Sequence, residues 1–323
     1  MIAESNSNIR VIDSLRGIAV LMVFFYHVIA VSHHFSDFPL LQNFNLWGRK
    51  GVQVFFAISS VVIPFSLIKY GYELRKIGHF LLRRFIRIEL LYIISILALL
   101  FRNHAFYDDF NFDLLRIVKN AFYIPAFTEN SSWINPVAWS LSVEIQFYVF
   151  MAVCFPLALL KNGWGVYVFS LLMVVPSFIQ VSSDHFAHWS VLFLPGSLYV
   201  LYRFQKVSLI RFISLSSIAI TLAIFCQQWI DVCITIMSIV VVHVLYDRKS
   251  FVLDFTGKIS YSFYLFHIII SPLIVSSIIG RIDGNEKYPL AVIVSLIASL
   301  LASWILYKTL ETPLRKFSKK ISL

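Results

Sequence analysis

Apolar runs of 17 to 23 residues, separated by polar breaks, make up most of this chain. Ten of them are long enough to span a bilayer: residues 12–32, 51–68, 86–102, 137–159, 164–181, 188–204, 208–226, 230–246, 259–279 and 289–308. The pattern predicts an all-α fold, a polytopic membrane helix bundle of about ten transmembrane helices. No repeat or low-complexity segment interrupts the series. The breaks leave no room for a separate soluble domain, so residues 1–323 read as one membrane-embedded domain. One break is long, from Asn103 to Pro136, and carries Tyr107, Asp108, Asp109, Asp113, Tyr123, Pro125 and Trp133. A loop of this length without obvious structure is often functional, and here it is suited to covering or receiving an external ligand.

Basic residues orient the bundle. With the N-terminus placed in the cytoplasm, inner segments hold 20 of the 27 Lys and Arg and outer segments hold 7, as the positive-inside rule requires. Both termini are then cytoplasmic. Lys161 and Lys249 count among the inner cations, and the segment from Lys69 to Arg87 alone carries six cations against Glu73.

Composition agrees. The chain is 59% hydrophobic and only 14% charged, where a soluble domain carries about 25%. The net charge of +10 is divided among short inner segments, which excludes a nucleic-acid surface and leaves membrane lipid as the surroundings. Cys154, Cys226 and Cys233 show no CxxC and no histidine at ligand spacing, so no metal site is expected. They read as buried inert thiols, although the spacing also allows a Cys226–Cys233 bridge across a hairpin. Met1 to Asn8 carries only Glu4 as a charge and lacks a basic n-region, so the first apolar helix is expected to be retained.

Candidate chemistry begins in Ile12 to His27. Arg16 opens the run and His27 lies eleven residues on, about three helical turns, so the two project from nearly the same face, roughly 16 Å apart along the axis. Ionisable groups inside a span are functional candidates. His27 is either a general base or a hydrogen-bonding group between helices. Arg16 is either part of a reaction path or an inner anchor, and Asp13 stands close enough to hold its guanidinium. Glu144 reads as the one carboxylate well inside an apolar run. Its depth is close enough to that of His27 for it to orient the imidazole, or it makes a structural bond between helices. Arg83, Arg84 and Arg87 fall at the inner end of the third helix. Arg83 and Arg87 share a face at i,i+4 and suit either phosphates or anionic headgroups. Ser260, Tyr261, Tyr264 and His267 form a stripe on the ninth span, reading as packing or as part of a site.

These residues carry a family resemblance. Arg16 and His27 match the R-x10-H of the acyltransferase-3 family of integral membrane acyltransferases. Gly51 to Ser60 resembles its second-helix signature, and Arg83-Arg-Phe-Ile-Arg87 its arginine motif. Trp139 to Tyr148 is similar to W-S-L-x-x-E-x-x-F-Y, Ile259 to His267 to I-S-Y-S-x-Y-L-x-H, and Leu310 to Arg315 to the closing E-x-P-x-R. The ordered set, spanning nearly the whole chain, is what makes the resemblance specific. Three positions depart from it: Gln53 stands for an acid, Ser60 for a glycine, and Glu89-Leu90 where a proline is common.

The resemblance implies a membrane O-acetyltransferase of the bacterial cytoplasmic (inner) membrane. It would move an acetyl group from cytoplasmic acetyl-CoA to a sugar hydroxyl of an envelope glycan such as O-antigen or exopolysaccharide, or a lipid-linked glycan. No bound cofactor is implied; acetyl-CoA is the donor substrate. His27 would be the base, with Glu144 and Arg16 beside it. Arg83, Arg84 and Arg87 would take the donor phosphates, its pantetheine arm passing Arg16. Asp13, Trp139, Ser142, Tyr264 and His267 would support the site. The chain ends soon after its tenth expected span, so no fused extracytoplasmic transferase is expected. The competing reading is a transporter or flippase, for which paired repeats or broken helices would be expected.

Overall fold

A computed structural model describes residues 9–30, 35, 47–106, 113–128, 131–160, 163–248, 250–282 and 284–321. Met1 to Asn8, Tyr107, Asp108, Asp109, Lys161 and Lys249 lie outside the described residues, as do positions 31 and 32 of the first expected span. Among the described residues all regular structure is helical. The order begins α1 (Val11–Phe25), α2 (Gly51–Lys69), α3 (Ile77–Phe106), α4 (Leu114–Ala121), α5 (Ala138–Ala158) and α6 (Gly165–Val174). It continues with α7 (Phe186–Arg203), α8 (Leu209–Cys226), α9 (Trp229–Val244), α10 (Phe251–Lys258), α11 (Ser260–Ile279), α12 (Lys287–Leu306) and α13 (Thr312–Lys319).

Each expected span has a helix at its place. Six helical segments among the described residues are long and apolar enough to cross a membrane: Val11–Ile29, Gly51–Lys69, Ala138–Ala158, Leu209–Cys226, Ser260–Ile279 and Lys287–Lys319. The others fall short for physical reasons. Gly165–Phe178 and Trp229–Val244 are apolar but short. In α3, Arg83, Arg84, Arg87 and Glu89 dilute the hydropathy, and in α7 the same is done by His188, Ser190, Gly196 and Ser197.

Three helices were not expected, α4, α10 and α13. The Asn103–Pro136 break is not structureless: it contains α4 and a 3-10 turn, Ile124–Phe127. The Asp113 side chain caps α4 by accepting from the Arg116 amide at 3.1 Å, a start signal legible in the sequence. Eight-residue helices such as α4 and α10 are too short to register in a search for spans.

The helices fall into two compact units, residues 1–58 with 233–305, and residues 59–232 with 306–323. The first is organised on the crossing of α1 with α10. A Cβ on Gly257 would lie 1.7 Å from the Asp13 carbonyl oxygen, and one on Gly17 would lie 2.4 Å from that of Leu253. Only glycine at both places lets the two backbones come this close, the small-residue packing that membrane helices use. Ser14 Oγ then donates to Asp254 Oδ1 at 2.5 Å across the crossing. Gln53, on the α2 segment of this unit, is buried and turns its amide NH2 toward the Lys50 and Arg49 carbonyls, 3.2 and 3.3 Å away. An acid would present only acceptors to these carbonyls, so the glutamine suits its place here.

In the second unit α3 and α5 run in opposite directions. Asn135 Nδ2, just before α5, donates to Ser95 Oγ at 3.0 Å, while Arg84 lies over the Tyr148 ring further down. The start of α3 differs from expectation. It begins at Ile77 rather than near 86, because no proline breaks the residues between, and the helix continues through its charged stretch. In the connection before it, Tyr72 donates to the Ala152 carbonyl at 2.8 Å, and burial raises its pKa, keeping the hydroxyl a neutral donor. Against α7, Ser60 is accommodated by Gly196, where a Cβ would lie 1.9 Å from Ser60 Oγ. The side chain missing from α7 makes room for the one that Ser60 adds to α2.

All three cysteines are free thiols, with no Cys226–Cys233 bridge. Cys154 and Cys226 are half-buried, but Cys233 is exposed rather than buried. On an apolar helix this is a lipid-facing position, where a thiol behaves as a small hydrophobe.

Candidate functional site

In the first unit, α1 ends in a π-helical turn, Tyr26–Ala30, that holds His27. Such wide turns recur at functional sites. His27 Nδ1 lies 3.0 Å from the Val23 carbonyl oxygen and 3.1 Å from Nε2 of His267 on α11. His267 Nδ1 in turn lies 2.9 Å from the Phe263 carbonyl oxygen. His267 is fully buried; its ring stacks on Phe263 with centroids 5.8 Å apart and has Phe24 at 6.2 Å. His27 is half-buried beside Tyr26. The Ser260, Tyr264 and His267 side chains are buried and Tyr261 is half-buried, but Ser262, Phe263, Leu265 and Phe266 are buried as well. The first turns of α11 are therefore enclosed all round, with no single inward stripe. Tyr264 packs edge-on against Phe55, centroids 5.7 Å apart. Arg16 and Asp13 sit half-buried three or more turns from His27, at the level of the α1–α10 crossing.

In the second unit Glu144 Oε1 accepts from Ser59 Oγ at 3.2 Å and from the Tyr148 hydroxyl. The Arg84 guanidinium lies 5.2 Å from the Tyr148 ring centroid and 5.5 Å from that of Phe80. Arg83 lies instead over Tyr70, 5.8 Å from its centroid. Arg83 and Arg84 thus lie over different rings, while Arg84 and Arg87, at i,i+3, share a helix face. They stand about two to three turns into α3, which begins at Ile77, with Arg84 opposite the middle of α5.

Ser142 is buried and accepts from Gln146 Nε2 at 2.9 Å; Gln146 also reaches the Asp184 carbonyl and the Phe186 amide. Trp139 is half-buried, its ring 6.3 Å from that of Trp189. Both residues thus belong to the joint between α5 and α7.

Some of this was missed from the sequence. Tyr148 stands at i+4 from Glu144, a spacing that signals a helical neighbour, but nothing in the sequence points from Ser59 to Glu144. Nor is Glu144 the one carboxylate inside the helices. Glu89 is 2% exposed, bonded to the Tyr123 hydroxyl at 2.9 Å, and Glu311 is 3% exposed. Glu89 escaped notice because it seemed to open a span, whereas it lies a dozen residues into α3. The group at His27 Nδ1 is a second histidine, and Glu144, expected to orient His27, is held within its own unit by Ser59 and Tyr148.

Helices long and apolar enough to cross a membrane, with titratable side chains bonded to one another inside them, define a multi-pass membrane protein that keeps polar chemistry within its spans. The chain belongs to the acyltransferase-3 family: the family's profile, described as "Acyltransferase domain", matches residues 9–308. It is similar to proteins of Staphylococcus aureus strains COL, MSSA476 and MRSA252, each named "Putative O-acetyltransferase". Each is 27% identical over 361 aligned positions that cover 94% of this chain and 57% of the relative. The chain thus spans a little over half the length of these curated relatives. No solved structure matches it.

Proposed function

We propose that this protein is a membrane O-acyltransferase that moves an acetyl group from acetyl-CoA to a sugar hydroxyl of a cell-envelope glycan in the bacterial cytoplasmic membrane. The observation that carries the reading is the His27 imidazole, bonded to Val23 and His267 inside apolar helices of an acyltransferase-family chain. A neutral imidazole accepts a proton from a hydroxyl near pH 7. The hydroxyl oxygen attacks the thioester carbonyl as His27 takes its proton, and the proton then goes to the departing thiolate, giving the ester and free coenzyme A. The sequence leaves open whether an acyl-enzyme intervenes.

Coenzyme A is polyanionic, and Arg84 and Arg87, at i,i+3 on one face of α3, offer two guanidiniums suited to its phosphates. They lie toward the N-terminal end of α3, about two to three turns from Ile77, where a cytoplasmic donor's phosphates would reach them. Glu144, held by two hydroxyl donors, balances cationic charge on that side. The basic residues favour cytoplasmic termini and hence a cytoplasmic donor.

Purified protein in nanodiscs, given radiolabelled acetyl-CoA and envelope polysaccharide, tests the reading. Label moving to the glycan, and not moving with His27→Ala, is the expected result. Glycan transport without label transfer would establish the flippase reading instead, and full transfer by His27→Ala would remove histidine from the chemistry.

A further inference from the structure

The hydrogen bonds around the two histidines fix their protons. A backbone carbonyl only accepts, so the 3.0 Å contact from His27 Nδ1 to the Val23 oxygen places a hydrogen on that nitrogen. The same argument places a hydrogen on His267 Nδ1, which lies 2.9 Å from the Phe263 oxygen. Neutral His267 then has its lone pair on Nε2, and that atom lies 3.1 Å from His27 Nδ1. The hydrogen on His27 Nδ1 is shared between two acceptors, and the His27 lone pair falls on Nε2.

We infer that His267 is a positioning residue for His27, adding to the Val23 carbonyl a second acceptor that holds the ring in the tautomer in which Nε2 is the base. The inference rests on the acyl-transfer reading, in which His27 takes the hydroxyl proton. When Nε2 takes that proton, His27 becomes an imidazolium whose Nδ1–H faces the His267 lone pair. The bond becomes charge-assisted in the step where charge appears. A full proton transfer across it would move the charge to His267 Nε2 and leave His27 with its remaining hydrogen on Nε2, so no atom is gained or lost. The proton that goes to the thiolate leaves from His27 Nε2, restoring both neutral rings. The surroundings suit this role. His267 is fully buried, stacked flat on Phe263 with an interplanar angle of 10°, and its orientation is set from its own helix before substrate arrives. A partner bonded to one ring nitrogen usually sets which nitrogen of a histidine is available.

The test compares His267→Phe, which keeps the apolar packing and removes the acceptor, with His267→Gln, which keeps an acceptor near the Nε2 position. The expected result for His267→Phe is a kcat lower by roughly 10- to 100-fold, short of the 10²–10⁴-fold that a general base contributes as a whole. KM for acetyl-CoA and for the glycan should be unchanged, and His267→Gln should recover part of the loss. NMR of isotope-labelled histidine should show His27 as the Nδ1–H tautomer in the wild type and a larger share of the Nε2–H tautomer in His267→Phe, where the Val23 carbonyl alone remains to hold the Nδ1 hydrogen. If His267→Phe does not fold, His267→Gln and the wild-type tautomer decide the matter. A wild-type kcat in His267→Phe, or a wild-type His27 protonated on Nε2, would overturn the inference while leaving His27 as base. An active His27→Gln would overturn the reading beneath it.

Discussion

Nε2 of His267 stands 3.1 Å from Nδ1 of His27, although 240 residues separate them in the chain. The pair links two of the motifs that carry the family resemblance, and it makes the ninth expected span part of the same centre as the first.

The second centre depends on Tyr148. Replacing it with Phe removes one of the two hydroxyls that donate to Glu144. A hydrogen bond to a charged group contributes about 1.5–3 kcal/mol. Tyr148→Phe should lower stability by an amount in this range, read from thermal unfolding in detergent, while Glu144→Gln, which keeps an acceptor for both donors, should cost less. Equal stability of Tyr148→Phe and the wild type would mean that this bond contributes nothing.

If Arg84 and Arg87 hold the donor, replacing either by Ala should raise the apparent KM for acetyl-CoA by roughly 10- to 150-fold, the equivalent of about 1.5–3 kcal/mol for a charged contact. Arg83→Ala should have the smaller effect, because that side chain lies over Tyr70 rather than beside Tyr148. An effect of Arg83→Ala as large as that of Arg84→Ala would restore the pairing the sequence suggested.

Ser60 and Gly196 form a complementary pair. A Cβ at position 196 would meet Ser60 Oγ at 1.9 Å and its Cβ at 2.9 Å. Gly196→Ala should destabilise by about 1–3 kcal/mol, as overpacking does. Adding Ser60→Gly should recover most of the loss, leaving only a 3.2 Å contact to the Ser60 carbonyl carbon. The measurement is a double-mutant cycle on unfolding, and simple additivity of the two changes would show that they are not coupled.

The α1–α10 crossing makes a sharper comparison. Gly257→Ala drives a Cβ into the Asp13 carbonyl at 1.7 Å, backbone against backbone, and should force the helices apart. Gly78→Ala, in α3, meets no atom within 4 Å and should stabilise by up to about 0.5–1 kcal/mol through helix propensity. The two variants should therefore shift the melting temperature in opposite directions, and a shared direction would show that the close approach is not needed.

Run length and helical period made a good part of this molecule legible. A stretch of about twenty apolar residues has one low-cost structure in a bilayer, because every backbone polar group must be satisfied within the segment. The helical class and the place of each long helix followed from that alone. The period of the helix likewise placed His27 about three turns beyond Arg16, and the exposed carboxylate cap at Asp113 was there to be read.

Charge hid the start of α3 where length did not. The expected span opened near residue 86, after Arg83 and Arg84, yet α3 begins at Ile77 and runs through Arg83 to Glu89. Two elements meet those side chains, with the Tyr148 ring of α5 against Arg84 and the Tyr123 hydroxyl, from the turn after α4, on Glu89. The sequence by itself determined which segments are helical, since that depends on each segment and its solvent. Only the tertiary structure decided that His267 stands at His27, that Arg84 lies over Tyr148, and that Gly17 and Gly257 let two backbones meet. Those choices depend on how helices far apart in the chain pack, and local periodicity carries no record of which faces will meet.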